Sequence, residues 1–212
     1  MNEIVARYEF RTFAQTLGFV AESMRQLSPC EQMNESSEAY LVSADMKDHN
    51  VKVRDGAVEI KRLVARRDGL EQWKPVVKQR FPISSGFVTE TLLPILSSPN
   101  PDFYASREEY TVQELINEFF RPQAGICVAS VFKRRFRFMV AQCAAEFDEV
   151  LINGAAIQSV AIESEDASAV AGVRETPGIN GYENINYPLA IQRVLGLRTL
   201  ADDDWYGFSG DT

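Results

Sequence analysis

The segment VFKRRFRFMV, residues 131–140, is the stretch that decides the fold class. Its odd-numbered positions carry Lys133, Arg135 and Arg137, whereas its even-numbered positions carry phenylalanines, interrupted by Arg134. Successive side chains of a strand point to opposite faces, so this spacing predicts a strand with one cationic and one apolar face. Like charges about 7 Å apart on one face repel each other unless an anion lies between them.

The same alternation recurs along the chain. We predict eight strands, near residues 3–13, 38–45, 49–55, 57–64, 70–80, 127–139, 141–150 and 156–166. Asp55-Gly56 and Asn153-Gly154 are typical of tight turns and indicate antiparallel neighbours. The predicted helices cover residues 14–26, 84–96, 112–120 and 188–197, while residues 97–101 and 167–186 are expected to be irregular.

One face of these strands is charged, and its charges are segregated by strand. Cations predominate on the third to sixth predicted strands, and carboxylates predominate on the last two. An ordinary antiparallel sheet with one solvated face would give the same alternation without any ligand, and this explanation stays open. A sheet of eight strands can also close into a barrel, which turns one face inward.

A charged face that turns inward requires a wet, ligand-filled interior, because an unpaired buried charge costs several kcal/mol. A polyanion beside the cations and a divalent ion beside the carboxylates would satisfy both sets of charges. Trp73 falls on the apolar side of its strand and is expected in the core. We therefore predict an α+β fold, an eight-stranded antiparallel β-barrel or tunnel with a charged interior and flanking helices. Residues 1–198 would form it, followed by an acidic tail at residues 199–212.

Composition narrows the functional classes. The 212 residues carry a formal net charge of −8, which argues against general nucleic-acid or anionic-membrane binding. No apolar run approaches the roughly 20 residues of a membrane helix, and the first residues lack a signal-peptide layout, so a cytoplasmic location is expected. The three cysteines and single histidine show no zinc-binding spacing.

Several short motifs on the charged face resemble those of the CYTH domain, or triphosphate tunnel metalloenzymes. They are a Glu-x-basic element at Glu9, Lys-x-Arg at Lys52, Glu-x-Lys at Glu59, the basic ladder of residues 131–140 and Glu-x-Glu at Glu163. The resemblance covers residues 3–197. It implies a metal-dependent phosphohydrolase acting on inorganic triphosphate or another triphosphate or polyphosphate compound, with Mg²⁺ or Mn²⁺ as cofactor.

The resemblance also implies roles for individual residues. The catalytic residues would be Glu9, Asp148, Glu163 and Glu165, of which Glu9, Glu163 and Glu165 would hold the metal ion. The phosphate-binding residues would be Arg7, Arg11, Lys52, Arg54, Lys61, Lys78, Lys133, Arg135 and Arg137.

Arg7 departs from this pattern, because the family's hydrolases have a metal-binding Glu there. A non-catalytic polyphosphate or nucleotide binding module is therefore the alternative function. A structural protein with a solvated sheet face is a third reading, and the sequence leaves the oligomeric state open.

Overall fold

The structure is a computed structural model that describes residues 5–96, 106–122, 125–175 and 178–198. Within these residues the strands are β1 (Arg7–Ala14), β2 (Gln32–Ser43), β3 (His49–Arg54), β4 (Ala57–Arg67), β5 (Leu70–Arg80), β6 (Ile83–Ser84), β7 (Glu109–Tyr110), β8 (Ile126–Val140), β9 (Cys143–Ile152) and β10 (Ala155–Ser164). The helices are α1 (Gly18–Leu27), α2 (Ser85–Phe87), α3 (Leu93–Ile95), α4 (Val112–Glu114), α5 (Ala167–Glu175) and α6 (Tyr187–Val194). A π-helical turn (Val88–Leu92) joins α2 to α3, and another (Leu115–Phe120) continues α4. The predicted loop at residues 97–101 and the tail at residues 199–212 lie outside the described residues.

Eight strands form a closed antiparallel barrel in the order β1-β10-β9-β8-β2-β3-β4-β5, and β6 and β7 form a separate pair. The predicted turns are present, with positive φ angles at Asp55 and Gly56 (51° and 67°) and at Asn153 and Gly154 (48° and 89°). Gly, Asn and Asp tolerate this left-handed backbone better than other residues. The predicted α+β fold and eight-stranded barrel are confirmed.

Two predicted elements differ from the structure. Strand β2 begins at Gln32 rather than at residue 38, and it pairs with β8 along its whole length. Its first half is polar and lacks the alternation used for the prediction. Residues 167–175 form helix α5 instead of irregular chain, and this helix buries Val170 and Val173 against the barrel.

The apolar faces of the strands point outward and are covered by helices. Helices α1 and α5 bury one part of the outer surface, which includes Phe10, Phe138 and Phe147. The segments 85–95 and 112–120 and helix α6 cover another part. Burial of each large apolar side chain contributes about 1.5 to 3 kcal/mol, so the outer shell stabilises the fold and leaves the interior to charged residues.

The two ends of the barrel differ. Helix α6 packs against β2 and β3, and the Gln192 amide donates hydrogen bonds to the carbonyl groups of Ser43 (2.6 Å) and Met46 (2.9 Å). At the opposite end, where β3 and β8 reach Arg54 and Arg137, these two side chains are 26% and 44% exposed. The lumen is therefore closed by α6 at one end and open at the other.

Among the described residues, no helix has both the length and the apolar character needed to cross a bilayer.

Candidate functional site

Strand β8 arranges three cations in a ladder from the closed end of the lumen to the open end. The exposed fractions of the Lys133, Arg135 and Arg137 side chains rise from 1% to 10% to 44% along this ladder. They help to line a cavity of about 240 Å³, which we call the inner cavity. Among the described residues its other charged lining residues are Arg11, Lys52, Arg54, Lys61, Glu9, Glu59, Glu146 and Glu163. The lining thus has seven cations and four carboxyl groups, and two buried carboxylates behind it, Glu38 and Asp148, also pair with these cations. A small excess of positive charge remains, which suits a small polyanion.

A buried carboxylate, Glu38, holds three of these cations. It accepts hydrogen bonds from Lys133 Nζ (2.8 Å), Lys52 Nζ (3.3 Å) and Arg54 Nη1 (3.3 Å). We call these four residues the Glu38 cluster. Burial raises the pKa of Glu38, but Lys133 and Lys52 outweigh burial and hold this pKa well below its usual range. Burial lowers the pKa of Lys133 to about 7, although Glu38 opposes the shift.

A second buried carboxylate, Asp148, holds the arginines on the other side of the lumen. It accepts hydrogen bonds from Arg11 Nη1 (3.2 Å), Arg135 Nε (3.3 Å) and the Tyr187 hydroxyl (2.9 Å). Glu146 pairs with the same two arginines at 3.4 Å and 3.3 Å. We call Asp148, Glu146, Arg11 and Arg135 the Asp148 cluster. The Asp148 side chain is 0% exposed, and its hydrogen bonds hold the two arginines in place.

Aromatic rings close the inner end of the cavity. Lys133 Nζ lies 3.6 Å from the ring centroid of Tyr187 and 5.0 Å from that of Tyr40, and it donates a hydrogen bond to the Tyr40 hydroxyl (2.7 Å). The two tyrosine rings stack with centroids 5.6 Å apart, and Phe13 packs edge-on against Tyr187 at 4.9 Å. Cation–π contacts and ring packing therefore close the buried end of the inner cavity, next to Lys133, and form its floor.

Glu9 and Glu163 form a carboxyl pair nearer the open end. They occupy directly opposite positions on β1 and β10 and share a side-chain hydrogen bond. Burial and the neighbouring Glu9 raise the pKa of Glu163 to about 8. Burial also acts to raise the pKa of Glu9, but Arg11 and Lys61 outweigh it and lower this pKa to about 2. At neutral pH the pair presents one ionised acceptor and one protonated donor.

A second cavity, of about 410 Å³, adjoins the inner cavity at the open end. It shares Glu9, Lys61, Trp73 and Glu163 with the inner cavity, and we call it the mouth cavity. Its further lining residues are Val5, Arg7, Pro75 and Glu165.

Trp73 is 6% exposed, which agrees with its predicted burial, but it lines both cavities and so lies on the lumen side of the barrel. The pairing of β4 with β5 shifts register between Ile60 and Lys61 and again after Leu63. A slip of one residue exchanges the faces to which side chains point. Trp73 therefore faces the lumen, where its indole Nε1 donates a hydrogen bond to Glu71 at 3.1 Å.

Most of the residues predicted for the site meet in the lumen. The inner cavity is lined by Glu9, Arg11, Lys52, Arg54, Lys61, Lys133, Arg135, Arg137 and Glu163. Arg7 and Glu165 line the mouth cavity, and Asp148 is buried behind Arg135, which lines the inner cavity. Lys78 is 65% exposed and donates a hydrogen bond to Glu59 at 2.8 Å. Their roles in binding and catalysis stay predictions.

The three residues predicted to hold a metal ion are not gathered into a ligand set. Glu9 is adjacent to Glu163 but accepts a hydrogen bond from Arg11 Nε at 2.8 Å, and Glu165 is exposed just beyond β10. Throughout the part of the chain that the structure describes, no three His, Cys, Asp or Glu side chains are grouped so that they could hold a metal ion. The arrangement of these donors does not fit a preformed Mg²⁺ or Mn²⁺ site.

No protein-family model and no curated protein matches the sequence. The chain is similar in structure to a conserved hypothetical protein from Pyrococcus furiosus, with a TM-score of 0.48, 12% identity, and coverage of 86% of this chain and 98% of that one. The chain is also similar in structure to the Hippeastrum protein HpAC1, whose structure is described as revealing a dominant triphosphatase activity. The TM-score is 0.47 and the identity 11%, and the match covers 92% of this chain and 97% of that one. For Schizosaccharomyces pombe Pct1 RNA triphosphatase the TM-score is 0.34 and the identity 10%, and the match covers 92% of this chain and 82% of that one.

These identities and TM-scores do not assign an activity to this chain. The class of protein is defined by the molecule itself, which is a closed eight-stranded barrel with a charged lumen. This is the tunnel architecture that the resemblance to CYTH domains implied, so the predicted fold is confirmed.

Proposed function

We propose that this protein binds inorganic triphosphate, or another triphosphate or polyphosphate compound, inside the barrel and hydrolyses it. The observation that carries the proposal is the inner cavity, where seven cationic side chains among the described residues surround about 240 Å³. This volume lies below the range of about 300 to 1,000 Å³ typical of drug-sized ligands, which favours a compact polyanion. Closure by α6 favours a short phosphate chain over one that passes through the barrel.

Hydrolysis would break a phosphoanhydride bond while water forms a new bond to phosphorus. The cations of the lumen would neutralise the charge that develops on the phosphate oxygens. Ionised Glu9 would accept a proton from the attacking water, and the Glu163 carboxyl would donate one to the leaving phosphate. Mg²⁺ or Mn²⁺ stays a predicted cofactor that would supply further charge neutralisation when bound.

Non-catalytic binding of polyphosphate or a nucleotide is the second candidate. Two observations favour it: Arg7 lies in the mouth cavity, and the three carboxylates predicted as metal ligands do not come together in one group of three among the described residues. Phosphate release from tripolyphosphate, measured with Mg²⁺, with Mn²⁺ and with a chelator, separates the candidates. Release supports the hydrolase and reveals its metal requirement, whereas binding without release supports the binding module.

Arg137 and Arg134 provide a matched test of binding in the lumen. Both lie on β8 with similar exposure (44% and 46%), but Arg137 lines the inner cavity and Arg134 pairs with Glu35 and Glu149 on the outer surface. Calorimetric titration with tripolyphosphate should show about tenfold or more weakening for Arg137→Gln, the loss of one charge-assisted contact of about 1.5 to 3 kcal/mol. Arg134→Gln should change affinity less than about twofold. Equal effects, or no binding by the wild type, would contradict the proposal.

A cytoplasmic location and the absence of general nucleic-acid binding stay predictions from the sequence.

A further inference from the structure

The barrel wall has a seam between β1 and β5. Strand β1 runs to Ala14, but its pairing with β5 ends at Glu9 because β5 begins at Leu70. Buried backbone N–H and C=O groups are almost always hydrogen-bonded, so the groups of β1 that face the seam need partners from another part of the chain. They include the backbone groups of Arg11, whose side chain lines the inner cavity.

Asn184 and Ile185, which precede helix α6, fill this seam. The Asn184 side-chain oxygen accepts a hydrogen bond from the Arg11 amide (2.8 Å), and the Ile185 amide donates one to the Arg11 carbonyl (2.6 Å). The Asn184 side-chain nitrogen donates to the carbonyl groups of Glu9 (3.3 Å) and Gly69 (2.9 Å). This side chain therefore uses its oxygen and both of its donors to replace a neighbouring strand.

The backbone that Asn184 holds carries two charged side chains of the lumen. Arg11 Nε lies 2.8 Å from Glu9 Oε1, and Glu9 is directly opposite Glu163 on β10. In the part of the chain that the structure describes, Asn184 lines neither the inner cavity nor the mouth cavity. Its influence on the lumen therefore passes through the backbone of β1.

The same short segment is attached to the barrel wall at two further points. The Asn186 side chain donates hydrogen bonds to Glu71 at 3.0 Å and 3.2 Å, and the Tyr187 hydroxyl donates one to Asp148 at 2.9 Å. Residues 184–187 thus connect β1 with β5 and β9. Because the segment is attached to three strands, it can hold the β1 backbone in one position.

We propose that Asn184 is a positioning residue that places the Glu9 carboxylate and the Arg11 guanidinium for the reaction in the lumen. This inference rests on the proposed function, in which Glu9 accepts a proton from water and Arg11 is one of the cations around the phosphates. A displacement of about 1 Å can lower a reaction rate about 100-fold. Affinity is less sensitive to one position, because seven cations among the described residues line the inner cavity.

The first test measures catalysis and binding separately in Asn184→Ala, which removes the three hydrogen bonds of the side chain. The kcat for phosphate release from tripolyphosphate should fall about tenfold to 100-fold, whereas the dissociation constant from calorimetric titration should change less than about threefold. Asn184→Asp keeps the acceptor for the Arg11 amide and loses both donors. It replaces Asn184→Ala if that variant folds poorly, and the same difference between kcat and affinity is expected.

Asn153→Gly is the matched control. The Asn153 side-chain oxygen also accepts a hydrogen bond from a strand amide, that of Ser130, at the same distance of 2.8 Å. Glycine is compatible with the positive φ of 48° at this position. Because Asn153 lies in the turn between β9 and β10, outside the lining of both cavities among the described residues, its loss should leave kcat and affinity unchanged.

Crystal structures of the wild type and Asn184→Ala test the inference without turnover. The Glu9 carboxylate of the variant should lie about 1 Å or more from its wild-type position, because the backbone on both sides of Phe10 loses its partner on the seam. The contact between Arg11 Nε and Glu9 should lengthen or break.

The outcomes separate the two proposals. If the wild type releases no phosphate, the proposed hydrolase is wrong, and the crystal structures alone decide the inference: unmoved Glu9 and Arg11 side chains would overturn it. If the wild type releases phosphate, three results would overturn the positioning role. They are an unchanged kcat in Asn184→Ala, equal losses of kcat and affinity in that variant, and an equal loss of kcat in Asn153→Gly.

Discussion

The Glu38 cluster and the Asp148 cluster each place a fully buried carboxylate against cations, but the two clusters differ in charge balance. On the side of the Glu38 cluster two carboxylates, Glu38 and Glu59, pair with three lumen cations, Lys52, Arg54 and Lys133. On the side of the Asp148 cluster, three carboxylates pair with three arginines; they are Asp148, Glu146 and Glu9 with Arg11, Arg135 and Arg137. The lumen therefore has an electrostatically balanced side and a side with excess positive charge.

This difference separates a structural role from a binding role. Carboxylates and arginines that balance one another need no ligand, and removal of one partner leaves a buried charge uncompensated. Cations in excess over their carboxylates gain more from an approaching polyanion. We therefore assign stability mainly to the Asp148 cluster and ligand affinity mainly to the Glu38 cluster.

Asp148→Ala should give the largest effect and tests the structural half of the comparison. It removes the acceptor for Arg11, Arg135 and the Tyr187 hydroxyl. The free energy of unfolding, measured by urea denaturation, should fall by about 3 to 5 kcal/mol, as for other broken buried ion pairs. A loss below about 1 kcal/mol would show that the balanced cluster does not stabilise the barrel.

Lys133→Met tests whether the Glu38 cluster provides most of the ligand affinity. It removes the innermost cation of the ladder, while Glu38 keeps Lys52 and Arg54 as partners. We expect tripolyphosphate affinity to fall about tenfold or more, the value of a lost charge-assisted contact, with a smaller loss of stability than in Asp148→Ala. Titration calorimetry and urea denaturation of the same sample measure both quantities. Unchanged affinity would contradict the binding role.

The Glu9–Glu163 pair makes a third arrangement, in which two carboxyl groups face each other. The folded state raises the pKa of Glu163 from 4.5 to about 8 and so binds its proton more tightly than the unfolded state. The associated stability is present below pH 4.5 and is lost as the pH rises through about 8. Between pH 5 and pH 9 the wild-type Tm should therefore fall relative to that of Glu163→Gln by a few degrees. Parallel Tm profiles in calorimetry would contradict this proton assignment.

Lys78→Gln should give the smallest effect, because Lys78 is 65% exposed and outside both clusters. Surface ion pairs contribute about 0 to 1 kcal/mol, so we expect stability to change by less than about 0.5 kcal/mol and tripolyphosphate affinity by less than about threefold. A loss as large as that of Lys133→Met would move the main phosphate contacts to the rim of the barrel.

The sequence alone predicts which charged side chains share one face of a strand, because that depends only on alternation within the strand. The period of two along β8 correctly predicts that Lys133, Arg135 and Arg137 share a face and that Phe138 lies on the opposite, buried face. The Asp55-Gly56 turn likewise follows from local backbone preferences.

The features that the sequence does not predict depend on contacts between distant segments. Glu38 lies in a polar part of β2 that lacks alternation, and pairing with β8 is what extends that strand. Trp73 reaches the lumen through register shifts between β4 and β5, which no local pattern signals. Tyr187 enters the floor of the cavity because α6 packs across the barrel end. The one signal in the sequence is Glu38 itself, a carboxylate directly before the apolar run of residues 39–42.

The most direct test of the central claim is a crystal structure of the protein with tripolyphosphate. The account predicts phosphate oxygens in the inner cavity within about 3 Å of Lys52 Nζ and the Arg135 guanidinium, the usual distance for charge-assisted hydrogen bonds. Phosphate density confined to the outer surface beside Arg134, with an inner cavity that holds water alone, would contradict it.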